Sequence, residues 1–213
     1  ISKSELEKFE KIAQQREFNK GDILFMEGDP PENLWFIIEG EVKIFKEYAS
    51  GKSAIVGLFR AGDLVASVPV IDGKPYPASC QAVTNCVAGV MKRKEALNAI
   101  IGNPAVALLF MQDLTEKMRL ITSNLGSMAV QTVIRRLSRF LLALGEKMGI
   151  SSKGETKIDL FLTRKDIAEY IGTSFEVAVR CLSRLQNEKV IRVKGKSISI
   201  LNKVRLSEIA EGE

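Results

Sequence analysis

Histidine is missing from this 213-residue sequence, and cysteine is scarce: the chain has only Cys80, Cys86 and Cys181. Without histidine there can be no histidine-based catalytic triad and no histidine-ligated zinc or haem. Three cysteines are one thiolate short of an all-cysteine zinc or iron–sulfur site within one chain, so we expect no metal centre. They are also too few for a disulfide framework, which favours a reducing cytoplasm.

Long apolar runs are also absent, since none reaches the ~18 residues that a membrane-spanning helix needs. The first residues are polar and charged, so we predict neither a membrane partner nor a secretory signal. Because the chain begins at Ile1 instead of a methionine, a missing native leader is left open. A hydrophobic content of 46% with 27% charged residues is typical of a globular protein of two modest domains or one large one.

The charges are unevenly divided along the chain. Residues 130–213 hold 16 of the 31 lysines and arginines but only 10 of the 26 acidic residues, whereas the first 129 residues are close to neutral. A basic C-terminal part suggests a polyanionic partner, although a basic surface is more often simply solvated.

The first half of the chain predicts a β-barrel or sandwich. Residues 4–16 have helical character, but from Phe18 onward short apolar runs alternate with turn residues about every ten positions. Further strands are predicted through residues 77–91. About eight strands that close on themselves would hide their edges, so we assign a barrel domain to residues 1–103.

Residues 104–129 predict one long helix, because Pro104 suits a first helical position. Apolar residues then recur at spacings of three and four: Met111, Leu114, Met118, Ile121, Leu125 and Met128. Such a seam is typical of a two-stranded coiled coil, so we expect this helix to join two copies of the chain. The alternative is a helix packed on its own domain, which usually has a wider apolar face.

Residues 130–213 predict a winged helix-turn-helix domain. A helix over residues 131–148 and a polar loop over residues 149–157 precede two short helices. Two strands, over residues 190–193 and 197–201, then form a hairpin wing with a basic tip.

The helix-turn-helix is predicted from its caps. Thr163 caps the first helix, with Asp166 completing an acidic form of the capping box. Gly172 supplies the tight turn, and Thr173 or Ser174 caps the second helix.

Glu176 and Arg180 lie four residues apart on the second helix, on the face opposite its apolar residues. The pair can be a simple surface ion pair worth a few tenths of a kcal/mol. On the recognition helix of a helix-turn-helix, however, arginine can bind guanine and a carboxylate can accept from the cytosine amino group. We expect the backbone phosphates to pass Thr163, Arg164, Thr173, Ser174, Lys194 and Lys196.

The order of these parts resembles the cyclic-AMP receptor protein / fumarate-and-nitrate-reduction regulator (CRP/FNR) family of bacterial transcription factors. The similarity covers nearly the whole chain, including "GDILFMEGDPPENLWFIIEGEVKIFK" and "LTRKDIAEYIGTSFEVAVRCLSRLQNEKVIRVKGKSISI". It implies an α+β fold: an N-terminal double-stranded β-helix (jelly-roll) barrel like cyclic-nucleotide-binding domains, a long dimerisation helix and a C-terminal winged helix-turn-helix.

The resemblance also implies a function. A homodimer would bind a near-palindromic operator with half-sites ~34 Å apart, and RNA polymerase would be a further partner. Glu176 and Arg180 match the residues that read a TGA-type core in the family. Phe175 occupies a position that is a base-reading arginine in some members, so its outer base preference is open, and its ring could touch a thymine methyl instead.

The effector is an unknown small molecule. The resemblance places its pocket at Val65, Ala66, Ser67, Tyr76, Pro77, Ala78, Ser79, Thr122 and Ser123. Tyr76 and Pro77 replace the arginine and serine that hold the cyclic phosphate in cyclic-AMP-binding members, which argues against cyclic AMP. Haem on a cysteine or a cyclic nucleotide stays an alternative.

The cysteines offer little else. If Cys80 and Cys86 share one strand they lie ~20 Å apart, too far for a disulfide, and both are more simply buried thiols. A ligand-binding module that acts through protein contacts is a further alternative for the whole chain. No nucleophile has an identifiable base beside it, so we expect no enzyme activity.

Overall fold

The computed structural model describes residues 13–152, 154–159, 161–195 and 197–212. The chain divides into two compact units, Ile1–Thr122 and Ser123–Glu213. Each unit has its own buried apolar core, and the two are described separately below.

In the described part of the first unit, eight strands form two antiparallel four-stranded sheets. They are β1 (Gln14–Phe18), β2 (Ile23–Phe25), β3 (Asn33–Glu39), β4 (Glu41–Glu47), β5 (Ser53–Arg60), β6 (Leu64–Val65), β7 (Ser79–Ala82) and β8 (Cys86–Lys92). One sheet has the order β1–β8–β3–β6 and the other β2–β7–β4–β5. The predicted jelly-roll barrel is confirmed.

The predicted helix over residues 4–16 is wrong at its C-terminal end, while residues 4–12 lie outside the described residues. Gln14–Phe18 is strand β1, which pairs with β8 from Gln14 opposite Val90 to Phe18 opposite Cys86. Glutamine and glutamate favour helices when they are exposed. Here the hydrogen bonds offered by a strand some seventy residues later override that preference.

The barrel core forms between the two sheets because alternate residues of each strand point to opposite faces. Trp35 and Ile37 on β3, Val42 on β4 and Val90 on β8 are buried in one cluster together with Tyr76. The interior of the barrel is therefore filled by side chains at this level.

Three helices follow or interrupt the strands: α1 (Ser67–Asp72), α2 (Arg93–Gly102) and α3 (Pro104–Val130). The sequence predicted α3 but neither α1 nor α2. Phe110 is the buried anchor of the 27-residue helix α3, and it packs with Leu34 and Phe36 of the barrel.

In the described part of the chain, no single helix is long and apolar enough to cross a membrane. The pair α2 and α3 meets the length and composition criteria only when both are taken together, and it is bent by 114° at the break.

The second unit is a winged helix-turn-helix domain, as predicted. Its elements are α4 (Val133–Met148), β9 (Ile150–Ser152), β10 (Glu155–Asp159), α5 (Arg164–Tyr170), α6 (Phe175–Asn187), β11 (Ile191–Lys194), β12 (Ser197–Ile200) and α7 (Lys203–Glu211). The sheet order is β11–β12–β10–β9. Leu141, Ile158, Ile167 and Leu185 are fully buried and bring helices and sheet into one core.

The predicted polar loop over residues 149–157 is wrong. It contains the hairpin β9–β10, in which Thr156 pairs with Ser151, and Gly154 takes the positive φ of +82° that the turn requires. The hairpin extends the wing sheet because Thr156 also pairs with Ile200 of β12.

Candidate functional site

The first helix of the helix-turn-helix begins at a complete capping box. The Thr163 hydroxyl accepts a hydrogen bond from the Asp166 amide at 3.1 Å, and the Asp166 carboxylate accepts from the Thr163 amide at 2.8 Å. The Thr163 hydroxyl also donates to that carboxylate at 2.6 Å. Two free amides at the helix start are thereby satisfied, which fixes where α5 begins.

The turn depends on Gly172, whose φ is +66°. A Cβ at this position would lie 3.2 Å from the terminal methyl of Met128, so both the backbone angle and the available space favour glycine. The Thr173 amide donates to the carbonyl of Ala168 at 3.0 Å and closes the turn. The predicted role of Gly172 is confirmed.

The second helix, α6, begins at Ser174, whose hydroxyl accepts from the Val177 amide at 3.4 Å. Ala178, Leu182 and Leu185 are buried. Glu176 and Arg180 are exposed on the other side of the helix, as the spacing predicted. Sequence and structure thus agree on which face of α6 is free to meet a partner.

The Glu176 carboxylate is held in its charged form at the N-terminus of α6. Its own backbone amide, the Ser174 hydroxyl and Arg180 all lower the pKa of Glu176, whose side chain is fully exposed. The carboxylate is consequently a hydrogen-bond acceptor throughout the neutral pH range.

The residues predicted to contact the DNA backbone lie around α5, α6 and the wing. Thr163, Arg164 and Ser174 are exposed, and Thr173 is half-buried at the turn. Lys194 is exposed at the end of β11, where its carbonyl accepts from the Ser197 hydroxyl at 3.0 Å. Lys196 lies outside the described residues.

The predicted seam on α3 is largely exposed within one chain. Met111, Met118, Ile121, Leu125 and Met128 have between 44% and 70% of their surface exposed, and Leu114 is half-buried. Apolar residues at heptad spacing that remain exposed along a helix form a surface suited to a second helix.

Most of the predicted effector pocket belongs to the packed barrel. Val65 and Tyr76 lie in the barrel core, and Ala66 packs against it. Ser67, Ala78 and Ser79 are also buried, whereas Pro77 is exposed, and Thr122 and Ser123 are exposed on α3. Ala66 has a φ of +68°, a left-handed conformation that costs a non-glycine residue ~1–2 kcal/mol.

Tyr76 occupies the centre of this region. Its ring stacks on Phe25 with centroids 4.1 Å apart. Its hydroxyl donates to the carbonyl of Asn33 at 2.9 Å and accepts from the Trp35 indole at 3.4 Å. Burial raises the pKa of Tyr76, so the phenol is neutral here.

The two barrel cysteines do not share a strand: Cys80 lies on β7 and Cys86 on β8. Both are buried free thiols, as expected. Burial, with the nearby charges of Glu41 and Glu39, raises the pKa of Cys86 to about 11, and burial raises the pKa of Cys80 as well. Neutral buried thiols are poor nucleophiles and poor metal ligands.

Two family descriptions match the chain in succession. A cyclic nucleotide-binding domain matches residues 15–103, and a Crp-like helix-turn-helix domain matches residues 135–209. The matches coincide with the barrel and with the winged domain whose α6 carries Glu176 and Arg180. The chain belongs to the CRP/FNR family.

Individual relatives extend over nearly the whole chain. The CRP-like cAMP-activated global transcriptional regulator of Mycobacterium tuberculosis is 27% identical over 200 residues, which are 94% of this chain and 89% of that protein. The fumarate and nitrate reduction regulatory protein of Vibrio cholerae is 29% identical over 213 residues, 99% of this chain and 84% of that protein. This CRP/FNR chain is therefore similar to transcription regulators from end to end.

Solved structures confirm the CRP/FNR fold. FixK2 from Bradyrhizobium japonicum superimposes with a TM-score of 0.83 at 21% identity, covering 92% of this chain and 96% of that chain. The c-di-GMP-responsive regulator CLP from Xanthomonas campestris gives a TM-score of 0.81 at 21% identity, covering 93% and 99%. At this identity the likeness establishes the fold alone.

The structure of this CRP/FNR chain contains a polar network that the sequence did not predict. The Lys117 ammonium on α3 donates to Asp113 at 2.6 Å, to the Ser67 hydroxyl at 3.0 Å and to the carbonyl of Leu64 at 2.9 Å. It also lies 5.5 Å from the ring centre of Phe59. The network binds residues 64–67, which include the predicted pocket residues Val65, Ala66 and Ser67, to α3.

A second unpredicted feature lies on α4. The Arg136 guanidinium donates to the carbonyls of Ile171 at 2.7 Å, Gly172 at 3.3 Å and Gln131 at 2.6 Å. No spacing rule distinguishes Arg136 from its neighbours Arg135 and Arg139, because its main partners are 35 and 36 residues further along the chain.

Proposed function

We propose that this CRP/FNR chain acts as a homodimeric, sequence-specific DNA-binding transcription regulator controlled by an effector bound in its barrel. The observation that carries the proposal is the exposed Glu176–Arg180 pair on the first turns of α6, opposite the buried face of the helix. The N-terminal turns of a recognition helix are the part that reaches base edges in the major groove.

The chemistry of the pair suits neighbouring G·C pairs. Arg180 can donate two hydrogen bonds to O6 and N7 of guanine, and the charged Glu176 carboxylate can accept from the amino group of cytosine. A TGA-type half-site core is consistent with these contacts. Phe175 is 48% exposed at the start of the same helix, and its ring could contact a thymine methyl at the outer base, whose identity is open.

In addition to these base contacts, contacts to the backbone phosphates would position the domain on the duplex without reading its sequence. Thr163, Arg164, Thr173 and Ser174 lie at the starts of the two helices, and Lys194 ends the first strand of the wing. The sequence adds Lys196 as a further candidate for a phosphate contact. Cations and amide-rich helix starts of this kind bind phosphate oxygens and set the register of a domain on the duplex.

Dimerisation is supported by the exposed seam of α3. Burying such a stripe against its copy removes several methionine, leucine and isoleucine side chains from water, each worth ~1.5–3 kcal/mol. Two copies would present two α6 helices to half-sites ~34 Å apart on a near-palindromic operator. RNA polymerase is the partner expected of a regulator bound beside a promoter.

The effector is proposed to be a small molecule other than cyclic AMP. The side chain that reaches the barrel interior, Tyr76, is a neutral phenol packed on Phe25, and a cyclic phosphate would need a charged donor there. Effector binding would shift the population between two arrangements of the regulator, of which one fits the operator better.

A cyclic nucleotide is the second candidate effector. The Mycobacterium tuberculosis relative is described as cAMP-activated and the Xanthomonas campestris neighbour as c-di-GMP-responsive, which favours testing both nucleotides. Isothermal titration of the full chain with each would support this candidate by saturable binding and exclude it by a flat titration at millimolar nucleotide.

The DNA-binding role is tested by selecting operators from a random duplex library and then measuring binding of the selected and scrambled duplexes. Arg180→Ala should lose roughly 1–3 kcal/mol of discrimination at one G·C pair per half-site. Arg205→Ala, which removes the same charge from α7, is the matched control and should keep the discrimination. An unchanged preference in Arg180→Ala would refute the assigned role.

A further inference from the structure

Arg136 connects two segments of the second unit that are far apart in sequence. Gln131 lies between the last residue of α3 and the first residue of α4, and Ile171 and Gly172 form the turn of the helix-turn-helix. One guanidinium donates to carbonyls of both segments, at 2.6, 2.7 and 3.3 Å.

The geometry of these three bonds requires an arginine. Ile171 is the C-cap of α5, where helix carbonyls lack partners and the helix dipole is negative, so a cation is favoured. The planar guanidinium has five N–H donors in a rigid fork and can serve several acceptors in different directions. A lysine ammonium is a single point charge, so it is poorly suited to hold all three carbonyls in place.

Two further contacts join the same segments. The Met128 side chain on the last turns of α3 lies against Gly172, where a Cβ would approach its methyl group to 3.2 Å. Burial raises the pKa of Tyr170, the last residue of α5, and the nearby side chain of Asn124, one turn earlier on α3, lowers it. The turn is therefore held to the end of α3 on several sides, with Arg136 as the charged contact.

The position of Gly172 in the turn also determines where the recognition helix α6 begins. Only Thr173 and Ser174 separate Gly172 from Phe175, and the Thr173 amide is bonded to α5 while the Ser174 hydroxyl caps α6. A displacement of the turn would move the first turn of α6, where Glu176 lies, directly.

We propose that Arg136 is a positioning residue for DNA reading. It fixes the helix-turn-helix turn, and with it the first turn of α6, to the junction between α3 and α4. The inference rests on the proposed DNA-binding function and adds a residue that contacts no base. Its loss should leave the domain folded and basic but should widen the range of orientations that α6 adopts.

The test compares Arg136→Lys, Arg136→Ala and the control Arg139→Ala. Arg139 lies about one turn further along α4 and is exposed, and its guanidinium donates to the Ser127 hydroxyl at 3.4 Å. The readout is the ratio of affinities for the selected operator and a scrambled duplex at one salt concentration. Both Arg136 variants should lower this ratio about tenfold or more, and the control should stay within twofold.

The lysine variant separates positioning from charge. If Arg136 acted only as a phosphate-binding cation, the Arg136→Lys variant would keep the wild-type ratio of operator to scrambled-duplex affinity, and that result would overturn the proposal. If wild-type protein itself showed no operator preference, the proposed function would fail instead. The two failures are therefore distinguishable in one experiment.

Hydrogen exchange supplies a readout that needs no DNA and that serves even if Arg136→Ala does not fold. In Arg136→Lys, the amides of Thr173, Val177 and Ala178 should exchange about tenfold faster, while the ladder between β10 and β12 keeps its protection. A uniform loss of protection across the second unit would mean a general loss of stability and would refute a positioning role.

Discussion

Removing the hydroxyl oxygen of Tyr76 tests how much its hydrogen bonds contribute to the stability of the barrel. In Tyr76→Phe the ring stays and its stacking on Phe25 is retained, because only the hydroxyl is lost. That hydroxyl donates to the carbonyl of Asn33 at 2.9 Å and accepts from the Asn33 amide at 3.3 Å and from the Trp35 indole at 3.4 Å.

The magnitude follows from these distances. One well-formed hydrogen bond contributes ~0.5–1.5 kcal/mol net, and the two longer contacts contribute less. The indole N–H of Trp35 is buried and would lose its acceptor, a change that costs more than the bond itself. We therefore expect the free energy of unfolding of the barrel to fall by about 1–2 kcal/mol.

The assay is urea unfolding followed by the fluorescence of Trp35, which is the single tryptophan of the chain. Because it lies in the barrel core, the signal reports on the first unit. The midpoint should fall while the dependence on urea stays unchanged. The matched control is Tyr48→Phe, the same change at a side chain that is 53% exposed, which should alter stability by less than about 0.5 kcal/mol.

A Tyr76→Phe barrel as stable as the wild type would refute the reasoning, because it would mean that the hydroxyl contacts are not made in solution. A more stable variant would refute it as strongly. The control protects against a general effect of losing a phenol.

Three further changes test the seam, the wing and the buried thiols. Met118→Lys should weaken the dimer by roughly 3 kcal/mol, about 100-fold in Kd, because the interface would lose one methionine from each of the two copies. Sedimentation equilibrium measures the dissociation constant, with Met26→Lys, at a side chain that is 45% exposed, as the control. An unchanged average mass of the Met118→Lys protein would contradict the proposed seam. Lys194→Ala should flatten the salt dependence of DNA binding by about one unit per protomer and weaken all sequences alike; a sequence-selective loss would refute a phosphate contact. Because the pKa of Cys86 is raised, the folded state holds the thiol proton up to a higher pH than the unfolded state does. The contribution of this thiol to the stability of the folded state is therefore complete below the ordinary pKa of 9.0 and is lost as the pH rises towards about 11. The free energy of unfolding in urea should be about 1 kcal/mol lower at pH 10 than at pH 8 in the wild type, and this difference should be smaller in Cys86→Ala. An equal difference in the two proteins would show that Cys86 is not its source.

The helix-turn-helix was predictable because its signals are local. The Thr163–Asp166 capping box, the positive φ of Gly172 and the cap at Ser174 each depend on residues within a few positions. Local hydrogen bonds of this kind agree with the tertiary fold here, so the spacing of Glu176 also predicted its exposed face correctly.

Other parts of the fold depend on partners that are distant in sequence. Strand β1 has helix-favouring residues and becomes a strand only because β8 offers it hydrogen bonds. The hairpin β9–β10 is polar and short, and the pairing of Thr156 with Ile200 gives it a sheet to join. Arg136 and Lys117 likewise bind backbone carbonyls far along the chain, which no periodic pattern marks.

The three cysteines differ in accessibility, so a thiol reagent should label the protein at one site. Cys80 and Cys86 are buried in the barrel, whereas Cys181 lies half-buried on α6, next to Arg180. Burial raises the pKa of all three thiols, but at Cys181 the charges of Arg184 and Arg180 act in the opposite direction. Since the thiolate is the reacting form and needs access to the reagent, a maleimide dye should mark the recognition helix first, and a thiol titration should count one group in the native protein and three after denaturation. A fluorophore could thus follow the movement of α6 in an unmutated chain.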